Sequence, residues 1–221
     1  MTTVAIIGAG PGLGLATARR FGREGHDIAL IARTPQHLDD LTAVLTKEGV
    51  HAQGFAADVG DPDSLQAALD AAATLLGPIE VLQYSPVPHR DFMKPVLDTS
   101  SGDLAAPLAF SVHGPATAVQ QVLPGMRQLG RGTVVFVNGG TAVRPHPDRA
   151  GTSVAFAAES AYGQLLHDAL RAENIHVAQL IIPGAITPGD PRKDPDVLAD
   201  TLWQMHTGRG PYRTFAEPLD A

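Results

Sequence analysis

The fold of this chain is decided near its start, where an apolar run passes directly into a glycine-rich one: Val4-Ala5-Ile6-Ile7-Gly8-Ala9-Gly10-Pro11-Gly12-Leu13-Gly14. The apolar, β-branched residues from Thr3 to Ile7 predict a buried strand, and residues 13–24 predict a helix. A loop without side chains lets the backbone approach a pyrophosphate, and the helix that follows offers free N–H groups. The segment therefore predicts a dinucleotide-binding turn, although such turns also simply join a strand to a helix.

Strand and helix patterns alternate along the rest of the chain. Apolar runs predict strands at residues 27–32, 51–57, 79–83, 133–138 and 176–182. Apolar residues at helical spacing predict helices at 35–48, 61–76 and roughly 153–173. Repeated units of this length predict an α/β fold, a Rossmann-type doubly wound parallel sheet with helices on both faces. No internal repeat or linker divides residues 1–221, so we expect a single domain.

Two stretches are less regular. Residues 86–101 read as a loop, and residues 102–128 as a long helical region that Pro107 and Pro115 break or kink. The tail begins with a short polar loop at 189–195. Within residues 194–217 we then expect a short C-terminal helix at 196–206 and a last strand around 212–216.

Bulk composition limits the classes of function. The 221 residues carry a net charge of -7 and no run of Lys or Arg, which argues against a nucleic-acid partner. No apolar run reaches the roughly 18 residues of a membrane span, and the first ten residues do not resemble a signal peptide. Without cysteine, the chain can form neither a disulfide nor a Cys-ligated metal site. We expect a cytoplasmic protein with no membrane partner.

The order of these parts resembles the short-chain dehydrogenase/reductase family. The resemblance rests on the Gly8-x-x-x-Gly12-x-Gly14 spacing, on the helix that contains residues 156–173, and on the strand that ends in Pro183-Gly184. It implies hydride transfer between a nicotinamide dinucleotide and a small-molecule substrate. It also implies a homodimer or homotetramer, formed through the helices within 102–128 and 153–173.

The same resemblance suggests where a dinucleotide would bind. The NAD-specific site needs an acidic residue after the second strand, whereas this chain has Arg33, which suits a 2'-phosphate. We therefore favour NADP(H) over NAD(H), although a solvated arginine is common at a strand end. Asp58 is expected either to accept from the adenine amine or to cap a turn. The full set of expected contacts is Gly8, Gly12, Leu13, Gly14, Arg33, Asp58, Val59, Ser85, Pro183, Gly184, Ile186 and Thr187.

The catalytic positions of the family hold other residues here. In the family, tyrosine donates a proton to the carbonyl oxygen, lysine lowers the pKa of that tyrosine, serine polarises the oxygen, and asparagine supports a proton relay. The matching positions hold Phe156, Ser160, Gly139 (or Gly140) and Ser111. No Tyr-x-x-x-Lys occurs anywhere in the chain. Losing the acid and the oxyanion donor would remove on the order of 5–10 kcal/mol of barrier lowering.

Other side chains could in principle replace the missing acid. For each of them we expect an ordinary structural role: a packed or surface Tyr84, a core or interface Tyr162, a surface Glu159, and a solvated His146, with His113 pointing away from Ser111. None of the nine histidines is paired at i, i+4 on a predicted helix, so we expect no metal.

Two functions remain open. The chain is either an NADP(H)-dependent oxidoreductase of atypical mechanism or a catalytically inactive NADP(H)-binding protein with a regulatory or scaffolding role. The first would use an unrecognised donor, or would deliver hydride to a substrate, such as an iminium, that needs no proton on oxygen.

Overall fold

A computed structural model describes residues 2–219 and contains one seven-stranded sheet. All strands are parallel, in the order β3-β2-β1-β4-β5-β6-β7, which confirms the expected α/β fold. The central strands are continuous apolar runs because helices cover both of their faces. The seven strands are β1 Thr3–Ile7, β2 Asp27–Ala32, β3 Ala52–Ala56, β4 Ile79–Tyr84, β5 Gly132–Gly139, β6 Ile175–Ile182 and β7 Arg213–Phe215.

Helices divide into two layers around the sheet. Their bounds are α1 Leu13–Arg23, α2 Pro35–Lys47, α3 Pro62–Leu76, α4 Ala105–Leu108, α5 Gly114–Leu129, α6 Ala150–Leu170 and α7 Pro195–Gly208. Residues of α1, α2 and α7 form one apolar core with the sheet, and residues of α3, α5 and α6 form the other. A C-terminal helix and a last strand, α7 and β7, lie in the part of the chain where the sequence pattern predicts them, and α7 packs in the same apolar core as α1 and α2.

The long helical region departs from a regular α-helix in its middle. A five-residue π-helical segment, Ala109–His113, joins α4 to α5. Pro107 lies within the short α4, and Pro115 lies in the first turn of α5, where a missing N–H costs nothing. The preceding loop contains 3-10 turns at Arg90–Phe92, Val96–Asp98 and Gly102–Leu104.

The strand order reverses between β1 and β4, which lie side by side although two strands separate them in sequence. The connections that leave these two strands pass to opposite faces of the sheet. A crevice opens at their carboxyl ends, and ligands of open α/β sheets bind in such a crevice. The glycine-rich segment lies at this point.

Candidate functional site

The glycine-rich turn leaves β1 and begins α1 at the crevice. Gly8 has a φ of +86°, and a Cβ atom there would lie 2.4 Å from the Cα of Pro86, so only glycine fits. Gly12 caps α1 without a side-chain hydrogen bond, and the first turn of α1 has no acidic residue. A Cβ atom on Gly10 or Gly12 would meet no atom of residues 2–219 within 4 Å. The turn therefore presents bare backbone and an uncapped helix N-terminus to open space.

One end of the crevice is a cavity of about 880 Å³ beside β2 and β3. Arg33, Asp58 and Val59 line it, together with His37, which the sequence analysis did not single out. Arg33 is exposed, and neither a hydrogen bond nor an ion pair to another residue of 2–219 engages its guanidinium. Asp58 accepts a hydrogen bond from the Gly60 backbone at 2.9 Å, so it caps a turn while it also lines the cavity.

The other end is a cavity of about 820 Å³ that shares Gly8 and Gly10 with the first. Ser85 lines it and donates to the Ile7 carbonyl oxygen, which ties β4 to β1. Thr187 lies in the same loop as the lining residues but does not line the cavity; its hydroxyl donates to the Ala185 carbonyl oxygen. The expected residues that line this end are Gly8, Gly12, Leu13, Gly14, Ser85, Pro183, Gly184 and Ile186.

The tail of the chain also reaches this second cavity. Leu219 lines it, and the Cβ position of Gly140 lies 3.5 Å from the Leu219 Cδ2 atom. An ion pair between Lys193 and Glu217, with 2.6 Å from Nζ to Oε1, attaches the tail to the loop after β6. Sequence reasoning missed Leu219 because no local pattern shows where a tail residue packs.

Two of the four expected catalytic positions face the second cavity together. Gly139 and Phe156 both line it, and the Cβ position of Gly139 lies 3.9 Å from the Phe156 Cε2 atom. Phe156 is 6% exposed and packs against Ala142 and Ile181. Its ring therefore occupies the wall of the cavity without supplying a titratable proton.

The other two positions lie behind this wall. Ser160 donates to the Gln179 side chain at 2.9 Å and accepts from Arg213 Nη2 at 2.6 Å. Gln179 in turn donates to the Asn138 side-chain oxygen at 2.8 Å, so a buried chain of polar groups crosses β5, β6 and β7. Ser111 is 1% exposed and does not line the cavity.

The expected surface position of Glu159 is wrong. This residue is 1% exposed, because it lies on the face of α6 that packs on the sheet and on the π-helical segment. Burial raises the pKa of its carboxyl to about 8, against the opposing effect of the Asn138 and Ser111 side chains beside it. Glu159 Oε1 and Ser111 Oγ are buried without a hydrogen-bond partner in residues 2–219. At neutral pH this carboxyl is therefore mostly protonated.

The remaining candidates have the structural roles expected of them. The Tyr84 hydroxyl is buried and donates to the Phe110 carbonyl oxygen, and Tyr162 packs against the core beside Phe136. His113 is exposed. His146 is exposed on the wall of the second cavity, where its ring caps the Asp148 backbone N–H at 3.1 Å.

The all-parallel sheet and the crevice at its switch point define an α/β protein of the Rossmann type. A family model described as short chain dehydrogenase matches residues 2–194. The chain belongs to the short-chain dehydrogenase family, a family of oxidoreductases.

Curated relatives and solved structures agree with this assignment. Human dehydrogenase/reductase SDR family member 4 is 29% identical over 175 residues, which are 79% of this chain and 62% of the relative. The chain therefore matches less than two thirds of that protein. The 2,3-dihydro-2,3-dihydroxybenzoate dehydrogenase of Bacillus subtilis is 28% identical over 97% of this chain and 84% of its own length.

Two solved structures share the fold. L-sorbose reductase from Gluconobacter frateurii, complexed with NADPH and L-sorbose, superposes with a TM-score of 0.86 at 21% identity, over 97% of this chain and 94% of the other. A metagenomic short-chain oxidoreductase in complex with NADP has a TM-score of 0.82 at 20% identity, over 97% and 93%. In residues 2–219, no helix has the length and apolar character needed to cross a bilayer.

Proposed function

We propose that the chain binds NADP(H) in the crevice and is an oxidoreductase whose mechanism does not use a tyrosine–lysine pair. One observation supports the binding of a dinucleotide: the glycine turn and the uncapped N-terminus of α1 share a crevice with Arg33. The turn suits a pyrophosphate, and a guanidinium at the end of β2 suits a 2'-phosphate. NADP(H) is also what the two structural relatives contain. Bound there, the nicotinamide would supply or accept a hydride.

A second candidate, dinucleotide binding without turnover, is favoured by the catalytic positions. Phe156 supplies no proton, and the Ser160 hydroxyl is held by Gln179 and Arg213 away from the cavity. Incubation with NADPH and a panel of carbonyl and imine compounds separates the two candidates. Turnover that disappears on damage to the glycine turn contradicts the non-catalytic role, whereas binding without turnover of any compound favours it.

Arg33→Asp is expected to remove the preference for NADPH over NADH. A charge-assisted contact to the 2'-phosphate is worth about 1.5–3 kcal/mol, or roughly 10–100-fold in affinity, and an aspartate would instead repel the phosphate. Isothermal titration calorimetry with both dinucleotides measures the preference. Arg23→Asp makes the same charge change on α1 and should leave it intact. Equal affinities in the parent, or an unchanged preference in Arg33→Asp, would contradict the assignment of Arg33.

Two glycine variants separate binding from folding. Gly8→Ala is expected to destabilise the fold, by about 1–3 kcal/mol for backbone strain alone, because its positive φ and the contact with Pro86 exclude a side chain. Gly10→Ala meets no atom within 4 Å and should remain as stable as the parent, yet its methyl group would occupy the space of the pyrophosphate. Thermal unfolding and calorimetry with NADPH test both. Full NADPH affinity in Gly10→Ala would place the dinucleotide elsewhere.

We further propose that the protein forms a homodimer or homotetramer through α5 and α6. Val154 and Leu165 on α6 are 46% and 68% exposed. They lie eleven residues apart, which is almost exactly three helical turns, so they share one face of α6. Sedimentation of the parent and of a Leu165→Glu variant would test this association.

A further inference from the structure

A third cavity lies at the opposite end of the strands from the dinucleotide crevice. It has a volume of about 370 Å³ and lies where β6 begins, between the end of α6 and the loop after α7. Four of its lining side chains are basic: His167, Arg171, His176 and Arg209. Among residues 2–219, no carboxylate lines this cavity, although the chain as a whole carries a net charge of -7.

Within the described residues 2–219, no acid forms an ion pair with the two guanidinium groups of this cavity. Arg171 is exposed and makes no hydrogen bond or ion pair with another residue of the described range 2–219. Arg209 contacts the uncharged Asn174, through its side-chain oxygen and its carbonyl oxygen. The acids nearest in sequence are engaged elsewhere, since Glu173 forms a bidentate pair with Arg127 and Asp168 accepts from Gln164.

The histidines strengthen the polar character of the cavity. His176 is 8% exposed, and its Nε2 atom has no hydrogen-bond partner in the part of the chain that is described. Burial, and then the nearby His167, Arg209 and His206, lower the pKa of His176 to about 4, so its ring is neutral at pH 7. The His167 Nδ1 atom lies 2.6 Å from the Val177 carbonyl oxygen, which leaves its other ring nitrogen free of that contact.

The backbone of the cavity is also unusual. Asn174 and Arg209 have φ values of 60° and 47°, and within residues 2–219 no other non-glycine residue has a positive φ. Both line this cavity. Both residues follow the last turn of a helix, where a left-handed residue is common, and asparagine adopts this conformation more readily than arginine.

We propose that this cavity binds a small phosphate-bearing anion. Guanidinium groups present planar pairs of donors that match phosphate oxygens, and here no acid of residues 2–219 neutralises them. Both arginines follow helices, where they also oppose the dipoles of α6 and α7. A helix C-terminus amounts to about half a negative charge, so positive charge remains at the cavity for an anion.

Calorimetry with inorganic phosphate, at constant ionic strength and with the dinucleotide crevice saturated by NADPH, tests this proposal. We expect saturable binding that weakens at least tenfold in Arg171→Gln and in Arg209→Gly. Glycine tolerates the backbone conformation of Arg209, so the second variant removes the charge and relieves strain. Arg23→Gln changes the net charge equally on α1 and should bind as the parent does. No saturable binding, or equal losses in all three variants, would overturn the proposal.

Two further measurements locate the anion and its source. Phosphate should shift the ring resonances of His167 and His176 in histidine NMR spectra, but not that of His37 in the crevice. A shift of His37 with none at His167 or His176 would instead place the anion at the crevice. If phenyl phosphate binds more tightly than inorganic phosphate, the ligand of this cavity is an organic phosphate ester. If the two bind with equal affinity, the ligand is the free ion. Both results support a phosphate site. Inorganic phosphate should also bind to the Arg33→Asp variant in the absence of NADPH, with the same affinity as to the parent. This measurement keeps the test independent of dinucleotide binding.

Discussion

Combining Gly139→Ser, Phe156→Tyr and Ser160→Lys is expected to create NADPH-dependent carbonyl reduction in this chain. Gly139 and Phe156 already face the same cavity, and a Cβ atom at 139 meets Phe156 only at an ordinary contact distance of 3.9 Å. A serine and a tyrosine would therefore converge on one substrate oxygen there. A positioned general acid contributes about 10²–10⁴-fold to a rate. We expect at least a hundredfold gain over the parent for one or more members of a carbonyl panel.

The environment of Ser160 adds a requirement to this design. The Arg213 Nη2 atom lies 2.6 Å from the Ser160 hydroxyl, so a lysine at this position would begin beside a guanidinium. Like charges raise each other's energy and disfavour the charged form of the lysine. Adding Arg213→Gln should therefore increase the activity of the triple variant further. Loss of NADPH absorbance with each carbonyl compound measures both variants.

A matched control isolates the role of the lysine charge. Gly139→Ser and Phe156→Tyr combined with Ser160→Met keep the length of the side chain but remove its ammonium group. This variant should reduce carbonyl compounds more slowly than the lysine variant, because a tyrosine whose pKa is not lowered is a weaker proton donor. If the triple variant and its Arg213→Gln derivative both fold and bind NADPH but show no carbonyl reduction, these positions do not match the family's catalytic ones.

Much of the fold was predictable from local patterns in the sequence. The mostly apolar run at residues 176–182 predicted β6, and Asp61 followed by Pro62 begins α3 as a capped helix. The glycine turn was predictable because the positive φ at Gly8 and the uncapped helix that follows both depend on nearby residues.

What could not be predicted depends on contacts between distant segments. A single carboxylate on a helix is usually solvated, and nothing near Glu159 in the sequence shows that a π-helical segment some fifty residues earlier packs over it. The partners of Ser160 lie on β6 and β7, and the cationic cavity brings together α6, β6 and the loop after α7. Such clusters follow from the strand order and helix packing, not from spacing along the chain.

The stability of the protein is expected to fall between pH 6.5 and 8 because of Glu159. Its carboxyl has a pKa of about 8 in the fold against 4.5 for the exposed group, so in this range the folded chain holds a proton that the unfolded chain has lost. Stability that depends on this proton is present at low pH and is lost as pH rises through the folded pKa. The slope approaches about 1.4 kcal/mol per pH unit, or roughly 2 kcal/mol over the range.

Two histidines set the acidic limit of stability in the opposite direction. Burial lowers the pKa of His176 and of His206 from 6.5 to about 4, so the unfolded chain binds protons there that the folded chain excludes. Their contribution is present above pH 6.5 and is lost as pH falls towards 4. Because these two effects have opposite signs, we expect the free energy of unfolding to be greatest near pH 6.5. Its decrease above that pH is due to Glu159.

Glu159→Gln should flatten that alkaline side. Glutamine keeps the shape of a protonated glutamate but cannot ionise, so the variant should hold its stability from pH 6.5 to 8 while the parent loses it. Urea unfolding at half-unit pH steps measures the difference, and Glu24→Gln, which changes an exposed carboxylate, should retain the slope of the parent. A parent that is equally stable at pH 6.5 and 8, or a Glu159→Gln variant with the same slope, would mean that this carboxyl ionises in the fold at ordinary pH.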